Sequence, residues 1–447
     1  MTTARKTIPA ETGRPTFGNG VVWLLALMVL INYVDRGNLS TAAPLIRDEI
    51  GLTNSQLGIL LSAFFWTYVP FQPFVGWLAQ RFNAYLVLAV ALVIWSLATA
   101  LTGLCHGFMM LLGLRLLLGV GECAAFPCIS RLFGQHLPAH RKGFANGLVG
   151  MGIALGPAFG IFFGGAIMAQ QGWRPTFVLF GALSLLWLIP WLGATRSLAR
   201  EAAGTSTPED EPTFAELISK RALWGTTLGH MFGLYAFYFV ITWLPTYLVK
   251  AQGLGVLDVA KLGGKIYLVY AASCMVTGWV TDHLIVRGVS VTWARKSCLV
   301  AGPLIACASM TAAALGDPRV AIAGLFGAGL AFGLSTPNIY AAAQCLAGPH
   351  ASGKWVGFMN GVANLSGIVA PMATGFLVDA TGSFYGAFAA AASISVFSAL
   401  SWCLLVWRVE EVSWGRTRSV TDAAPTLATA LVSEAAATDA LAGHPEI

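Results

Sequence analysis

Long apolar runs alternate with short polar segments from Val21 to Trp407. The runs are about 20 residues long, the length that a helix needs to cross a hydrocarbon core of roughly 30 Å. They lack the strict alternation of apolar and polar positions typical of a membrane strand. The pattern therefore predicts an all-α membrane protein with twelve transmembrane helices. The predicted spans are 21–43, 54–78, 84–104, 107–131, 142–168, 174–194, 222–249, 266–285, 296–315, 319–345, 353–379 and 382–408.

The distribution of basic residues predicts how these helices are oriented. If the N-terminus lies inside, the segments on the cytoplasmic side carry 18 Lys and Arg and the outer loops carry six. Basic loops are retained in the cytoplasm, so we expect a multi-pass protein of the inner membrane with both termini cytoplasmic. The net charge of +6 is then a signal of topology, and no basic patch points to nucleic acid. A cleaved signal peptide is disfavoured, because Asp35 and Arg36 would interrupt its apolar region.

Two halves are predicted, joined by a polar segment. The predicted divisions are a cytoplasmic tail (1–20), a six-helix bundle (21–194), a cytoplasmic linker (195–221), a second six-helix bundle (222–408) and a cytoplasmic, disordered tail (409–447). GFANG at 143–147 recurs as GFMNG at 357–361, and Gly76-Trp77 recurs as Gly278-Trp279. Such a repeat favours two pseudo-symmetric bundles around a midplane site, the architecture of alternating-access transporters of the major facilitator type.

Four charged residues fall deep inside predicted spans: Asp35 and Arg36 on the first, Arg115 and Glu122 on the fourth. Each costs at least about 2.5–3.5 kcal/mol at the centre of a membrane helix, so the four must pair, face water or bind a ligand. Arg115 and Glu122 are two helical turns apart and share a face, where each can meet a partner on the first helix.

The balance of two acids and two bases suggests a coupling mechanism. Arg36 or Arg115 could grip a carboxylate bidentately, and Asp35 or Glu122 could take up a proton and release its arginine for that purpose. The alternative is purely structural, with two ion pairs joining the first and fourth helices.

The second half carries uncharged polar groups at mid-depth. Asn338, Gln344 and Asn364 could hydrogen-bond the substrate's hydroxyl or carbonyl groups, whereas for Asn360 we favour an interhelical hydrogen bond. On the fifth span, close helix packing explains the glycines at 147, 150, 152, 156 and 160 without a ligand. Residues 152–160 also match GxxxGPxxG, a pattern associated with antiporters, which keeps exchange open.

The segments NYVDRGNLS, RLLLGVGECAAFPCISR, TWLPTYL and NGVANLSGIVAP together resemble the anion:cation symporter family of the major facilitator superfamily. Its bacterial members include D-galactonate and other sugar-acid proton symporters. The resemblance implies that Arg36 binds the substrate carboxylate, that Asp35 and Glu122 are protonation sites and that Arg115 tunes them. It also implies substrate contacts from Tyr33, Tyr68 and Asn364.

Two positions depart from that family's pattern. The loop after the second span has Gln80 where the gating motif carries Asp, while the second-half copy keeps Asp282; we assign gating to Asp282, Arg295, Lys296 and Arg81. On the fifth span, Ile153 makes apolar a face that is polar in the galactonate carrier. The substrate could therefore be a sugar acid, or a carboxylate that is less hydroxylated or aromatic.

The sequence thus predicts a proton-coupled symporter that imports a small organic anion and functions as a monomer. The alternatives are an organic-anion antiporter and a transporter-like anion sensor. An enzyme is the least favoured class, since no nucleophile, base and orienting group gather with recognisable spacing. The eight cysteines show no metal-ligand spacing, so no metal or cofactor is expected beyond the coupling proton.

Overall fold

The computed structural model describes residues 18–202, 211–250, 253, 256–315 and 318–415, and the regular structure in these ranges is helical. The α-helices are α1 (Asn19–Ile50), α2 (Asn54–Arg81), α3 (Ala84–Thr102), α4 (Phe108–Glu122), α5 (Ala125–His136), α6 (Ala139–Phe159), α7 (Gly165–Gln171), α8 (Trp173–Leu186), α9 (Leu188–Ala202), α10 (Phe214–Ser219), α11 (Arg221–Lys250), α12 (Val256–Val286), α13 (Val291–Leu315), α14 (Pro318–Ala347), α15 (Ser352–Ala363), α16 (Ser366–Thr381) and α17 (Tyr385–Leu400). Two π-helical turns, Gly160–Gly164 and Ser401–Leu405, follow α6 and α17. We call residues 18–202 the first half and residues 211–415 the second half.

Eleven helical segments of the described residues are long and apolar enough to cross a membrane. The predicted seventh span corresponds to α11, a 30-residue helix that is not among the eleven. Predicted helices therefore occur along the whole described chain, and the count of twelve membrane crossings stays a prediction. The N-terminal tail to residue 17, the middle of the linker and the tail from residue 416 lie outside the described residues.

Glycines allow α1 to pack closely on α6, as the sequence predicted. A Cβ atom added to Gly152 would lie 2.8 Å from the backbone oxygen of Ala26, and one added to Gly37 would lie 2.6 Å from that of Pro157. Real Cβ atoms do not approach backbone atoms this closely, so α1 and α6 can make this contact only because both positions are glycine. This packing accounts for the GxxxGPxxG pattern without a ligand.

The repeated motifs meet at two crossings between the halves. In one, α6 crosses α12, and a Cβ on Gly147 would lie 2.8 Å from the backbone oxygen of Cys274. In the other, α2 crosses α15, and a Cβ on Gly357 would lie 2.6 Å from the backbone oxygen of Gln72. Both crossings lie at the end of the molecule where α2 ends at Arg81, the end predicted to be cytoplasmic. The two halves are closed against each other there.

Two helix interruptions coincide with predicted site residues. The fourth span breaks between α4 and α5, directly after Glu122, and the eleventh breaks between α15 and α16 at Asn364. Asn364 Nδ2 donates to the backbone oxygen of Asn360 at 2.7 Å and so occupies an acceptor at the end of α15. Interrupted helices are a common way for membrane transporters to present polar groups to a cavity.

Candidate functional site

Arg36 of α1 and Glu122 of α4 form a salt bridge. Arg36 Nε and Nη2 donate to Glu122 Oε2 at 3.3 and 3.2 Å. The Glu122 side chain is fully buried, whereas the Arg36 side chain is 19% exposed. The carboxylate is therefore enclosed by protein, while the guanidinium keeps a face through which a second anion could reach it.

Aromatic rings surround the guanidinium of Arg36. Its Cζ lies 4.5 Å from the ring centre of Tyr33, 4.8 Å from that of Phe64 and 5.1 Å from that of Tyr68. Ring faces attract a cation, so these rings hold the Arg36 guanidinium in place beside Glu122. Tyr33 and Tyr68 thus lie beside Arg36, and their assignment as substrate contacts stays a prediction; Phe64 is a contact that the sequence did not indicate.

The other two charges bind α3 instead of each other. Thr99 Oγ1 donates to Asp35 Oδ2 at 3.1 Å, and Arg115 Nη2 donates to Thr102 Oγ1 at 3.5 Å. No ion pair joins Asp35 to Arg115 in the described part of the chain, so the second predicted pair between the first and fourth helices is absent from this structure. Consecutive residues of a helix point about 100° apart, which directs Asp35 to α3 while Arg36 faces α4.

A cavity adjoins this cluster and continues into the second half. Tyr33 and Ile153 line it from the first half, and Asn364 and His230 line it from the second. Tyr238 OH donates to Asn364 Oδ1 at 2.7 Å. The structure therefore brings Tyr33 and Asn364 to one cavity, and the apolar Ile153 does form part of its wall.

Asn338 and Gln344 lie away from this cavity, in contacts at the closed end. Gln344 Nε2 donates to Ser130 Oγ and to Asn146 Oδ1, each at 3.2 Å. Asn338 Oδ1 accepts from Arg295 at 3.2 Å. Both side chains are fully buried and partnered by protein. Their assignment as substrate contacts stays a prediction that this arrangement does not support.

Asn360 also joins the two halves. Its Nδ2 donates to Gln72 Oε1 of the first half at 2.9 Å, and its Oδ1 accepts from Tyr340 OH at 3.0 Å and faces His230 Nε2 at 3.1 Å. The favoured interpretation of Asn360 as an interhelical hydrogen-bonding residue agrees with these contacts. Gln72, its partner, was not singled out from the sequence.

A buried ion pair closes the same end of the molecule on the second-half side. Arg295 Nη2 donates to Asp282 Oδ1 at 2.5 Å, and the Asp282 carboxylate accepts the backbone N–H groups of Gly143 and Phe144 at 3.0 and 2.7 Å. Arg295 also donates to the backbone oxygen of Ala139 at 2.8 Å. Asp282 and Arg295 therefore bind the start of α6 directly and hold the halves together.

The two other residues assigned to the gate do not join this network. Lys296 Nζ donates to the backbone oxygen of Cys403 within its own half at 2.9 Å. Arg81 is exposed and forms no ion pair with a described residue. Their roles in gating stay predictions.

At the equivalent place in the first half, Gln80 forms an uncharged contact. Its Nε2 donates to the backbone oxygen of His350 at 2.6 Å, and its Oε1 accepts from the backbone N–H of Gly353 at 3.3 Å. An amide supplies both a donor and an acceptor to the second half, so the contact is kept although the charge is missing. Within the described ranges, no three His, Cys, Asp or Glu side chains gather closely enough to hold a metal ion.

Comparison with known proteins agrees with this architecture. The chain is 32% identical over 388 residues to a probable sulfoacetate transporter of Cupriavidus necator, covering 81% of this chain and 88% of the relative. It is 31% identical over 397 residues to a hexuronate transporter of Bacillus subtilis (85% and 93% covered), and 28% identical over 416 residues to a D-galactonate transporter of Escherichia coli (87% and 95% covered).

Solved structures share the fold at low identity. The human organic anion transporter MFSD10 superimposes with a TM-score of 0.71 at 15% identity, covering 86% of this chain and 99% of that one. The transporter FucP in its outward conformation gives 0.66 at 16% identity, with 86% and 97% covered. A sequence profile of the Major Facilitator Superfamily matches residues 25–293 and 284–440. The chain is a membrane transport protein, not an enzyme, and it belongs to the Major Facilitator Superfamily.

Proposed function

We propose that this protein imports a small organic anion, a sugar acid or related carboxylate, together with protons by alternating access. The observation that carries the proposal is the Arg36–Glu122 ion pair beside the cavity, with Glu122 buried and Arg36 partly exposed within a set of aromatic rings. An internal carboxylate already occupies the place that a substrate carboxylate would take on Arg36.

The pair provides a simple exchange. When Glu122 takes up a proton it stops being the anion that neutralises Arg36, and the guanidinium then binds the carboxylate of the substrate. Leaving either charge unpaired inside the membrane is costly, so proton and anion favour each other's binding. Asp35 offers a second protonation site, because its Oδ1 accepts no hydrogen bond in the described structure and its Oδ2 accepts only from Thr99.

Two protons moving with a monoanion would carry one net positive charge inward. That movement would gain about 2.3 kcal/mol per 100 mV of membrane potential. Proton stoichiometry can therefore be read from the current that accompanies uptake.

The relatives support the substrate class. Hexuronate and D-galactonate, named for two of them, are hydroxylated monocarboxylates, and sulfoacetate carries a carboxylate and a sulfonate. All three have at least one carboxylate for Arg36. We propose an inner-membrane location with both termini and the closed end cytoplasmic, so that this conformation faces outward. One chain holds both halves, which suffices for a monomer to complete the cycle.

Purified protein in proteoliposomes tests the proposal. With acid outside and no substrate inside, we expect concentrative uptake of D-galactonate or D-glucuronate that a protonophore abolishes. Uptake that requires an anion preloaded inside would indicate exchange, the runner-up suggested by GxxxGPxxG. Saturable binding without flux would indicate a sensor, and either result would overturn symport.

A further inference from the structure

The cavity contains a polar group that the coupling mechanism does not use. His230 lies on α11 and lines the same cavity as Tyr33 and Asn364. It is only 4% exposed, and its Nδ1 has no hydrogen-bond partner among the described residues. A buried polar atom without a partner is costly, which makes it a candidate for a ligand contact.

The contacts of His230 define what Nδ1 can do. The Nε2 atom faces Asn360 Oδ1, and the Asn360 amide is oriented by donating its Nδ2 to Gln72 Oε1 at 2.9 Å. Asn360 Oδ1 is therefore an acceptor, and His230 Nε2 carries the hydrogen that it accepts. In a neutral imidazole the other nitrogen then has a free lone pair. His230 Nδ1 is thus a buried acceptor on a residue that lines the cavity.

The rest of the wall lacks a group that would hold a second negative charge. No acidic side chain and no lysine or arginine is among the described residues that line the cavity. Several hydroxyls that line it are bonded to protein: Tyr270 to Thr336, Tyr340 to Asn360, and Ser398 to the backbone oxygen of Gly229. A sulfonate or carboxylate at the end of the substrate remote from Arg36 would offer only acceptors to His230 Nδ1, which is itself an acceptor. A hydroxyl at that end would offer a donor.

We propose that His230 Nδ1 accepts a hydrogen bond from a hydroxyl at the end of the substrate remote from its carboxylate, and so selects hydroxylated monocarboxylates over anions with a second acidic group. This inference rests on the proposed function, in which Arg36 holds the carboxylate. His230 is here a specificity-determining residue, and Asn360 and Gln72 position its ring.

Calorimetric binding to the purified full-length protein tests this subsite. The probes are D-galactonate, its 5-deoxy and 6-deoxy analogues, and sulfoacetate. For the unmodified protein we expect one deoxy analogue to bind about five- to tenfold more weakly than D-galactonate, the loss of one hydrogen bond, and sulfoacetate to bind more weakly than D-galactonate. His230→Phe keeps a ring but no acceptor and should remove the preference, while His230→Gln keeps an acceptor and should preserve most of it.

The outcomes separate the two proposals. Equal binding of all the galactonates by the unmodified protein, or an unchanged preference in His230→Phe, would overturn the subsite and leave the proposed function standing. Sulfoacetate binding tighter than D-galactonate would also overturn it. Absence of binding to every carboxylate would overturn the proposed function and the subsite with it. Should His230→Phe fail to fold, His230→Leu also lacks an acceptor and should lose the preference, and an unchanged preference in His230→Leu would overturn the subsite.

Discussion

Asn146 of the first half and Gln344 of the second exchange two hydrogen bonds across the closed end. Asn146 Nδ2 donates to Gln344 Oε1 at 2.9 Å, and Gln344 Nε2 donates to Asn146 Oδ1 at 3.2 Å. The equivalent residue of the other repeat, Asn360, donates to Gln72. Each copy of the repeated motif thus supplies an asparagine that pairs with a glutamine of the opposite half.

These amide pairs must separate when the closed end opens. Replacing Gln344 with Leu removes both bonds to Asn146 and leaves a buried amide partly unsatisfied, at a cost of about 1–3 kcal/mol to the closed state. We expect longer distances between spin labels at Arg200 and Arg287 in the variant, measured by double electron–electron resonance. Gln170→Leu is a matched control, because Gln170 is an exposed residue of α7 that lies outside these contacts. An unchanged distance distribution in Gln344→Leu would contradict the role of the pair.

Closure of the two halves also depends on glycine residues at the helix crossings. A Cβ on Gly147 would lie 2.8 Å from the backbone oxygen of Cys274, which α6 and α12 cannot accommodate without moving apart. Gly147→Ala should therefore strongly reduce uptake while the protein still reaches the membrane. Gly193→Ala is the control, since a Cβ there meets nothing within 4 Å. Normal uptake by Gly147→Ala would contradict this prediction, because it would show that α6 and α12 can accommodate a Cβ atom at this crossing.

The Asp282–Arg295 ion pair should contribute more to stability than the hydrogen bonds of Gln80. Arg295 is fully buried, so Asp282→Ala leaves its charge without the paired carboxylate, at a cost of about 3–5 kcal/mol. Gln80→Ala removes only neutral hydrogen bonds, worth about 1–3 kcal/mol. Thermal unfolding in detergent should show a clearly larger fall in Tm for Asp282→Ala. Equal falls would mean that the ion pair adds nothing beyond hydrogen bonding.

In the proposed coupling site, the hydroxyl group of Thr99 on α3 donates a hydrogen bond to Asp35. Thr99→Val is nearly isosteric and removes the hydrogen bond to Asp35, a bond to a charged group worth about 1.5–3 kcal/mol. We expect slower gradient-driven uptake in Thr99→Val and near-normal uptake in Thr99→Ser, which keeps the hydroxyl. If both variants transport like the unmodified protein, Asp35 does not depend on Thr99.

The sequence was informative about the charges and less so about their neutral partners. Arg36, Arg115 and Glu122 stand out because a charge in an apolar run has few explanations. Thr99 and Thr102 do not, since a helical threonine commonly bonds the backbone of its own preceding turn, as Thr102 does with Ala98. No pattern in the sequence distinguishes a threonine that bonds a buried charged side chain from one that bonds only its own helix.

Depth along the membrane was equally hard to infer for amides. Gln344 lies in α14 and Asn364 lies between α15 and α16, both within apolar spans, yet Gln344 pairs across the closed end and Asn364 lines the cavity. An amide can satisfy itself against protein or substrate, so its type does not reveal which it does. The repeat is visible in the sequence, and its glycines and asparagines are among the contacts between the halves.

Replacing Glu122 with Gln tests the central claim most directly. The amide cannot take up or release a proton and carries no charge to neutralise Arg36, so the variant should resemble the protonated state. With Glu49→Gln as a control outside the site, we expect Glu122→Gln to bind D-galactonate with an affinity that depends far less on pH, because only Asp35 can still take up a proton, and to exchange it but not to accumulate it. Accumulation of D-galactonate by Glu122→Gln in response to acid outside would contradict the account.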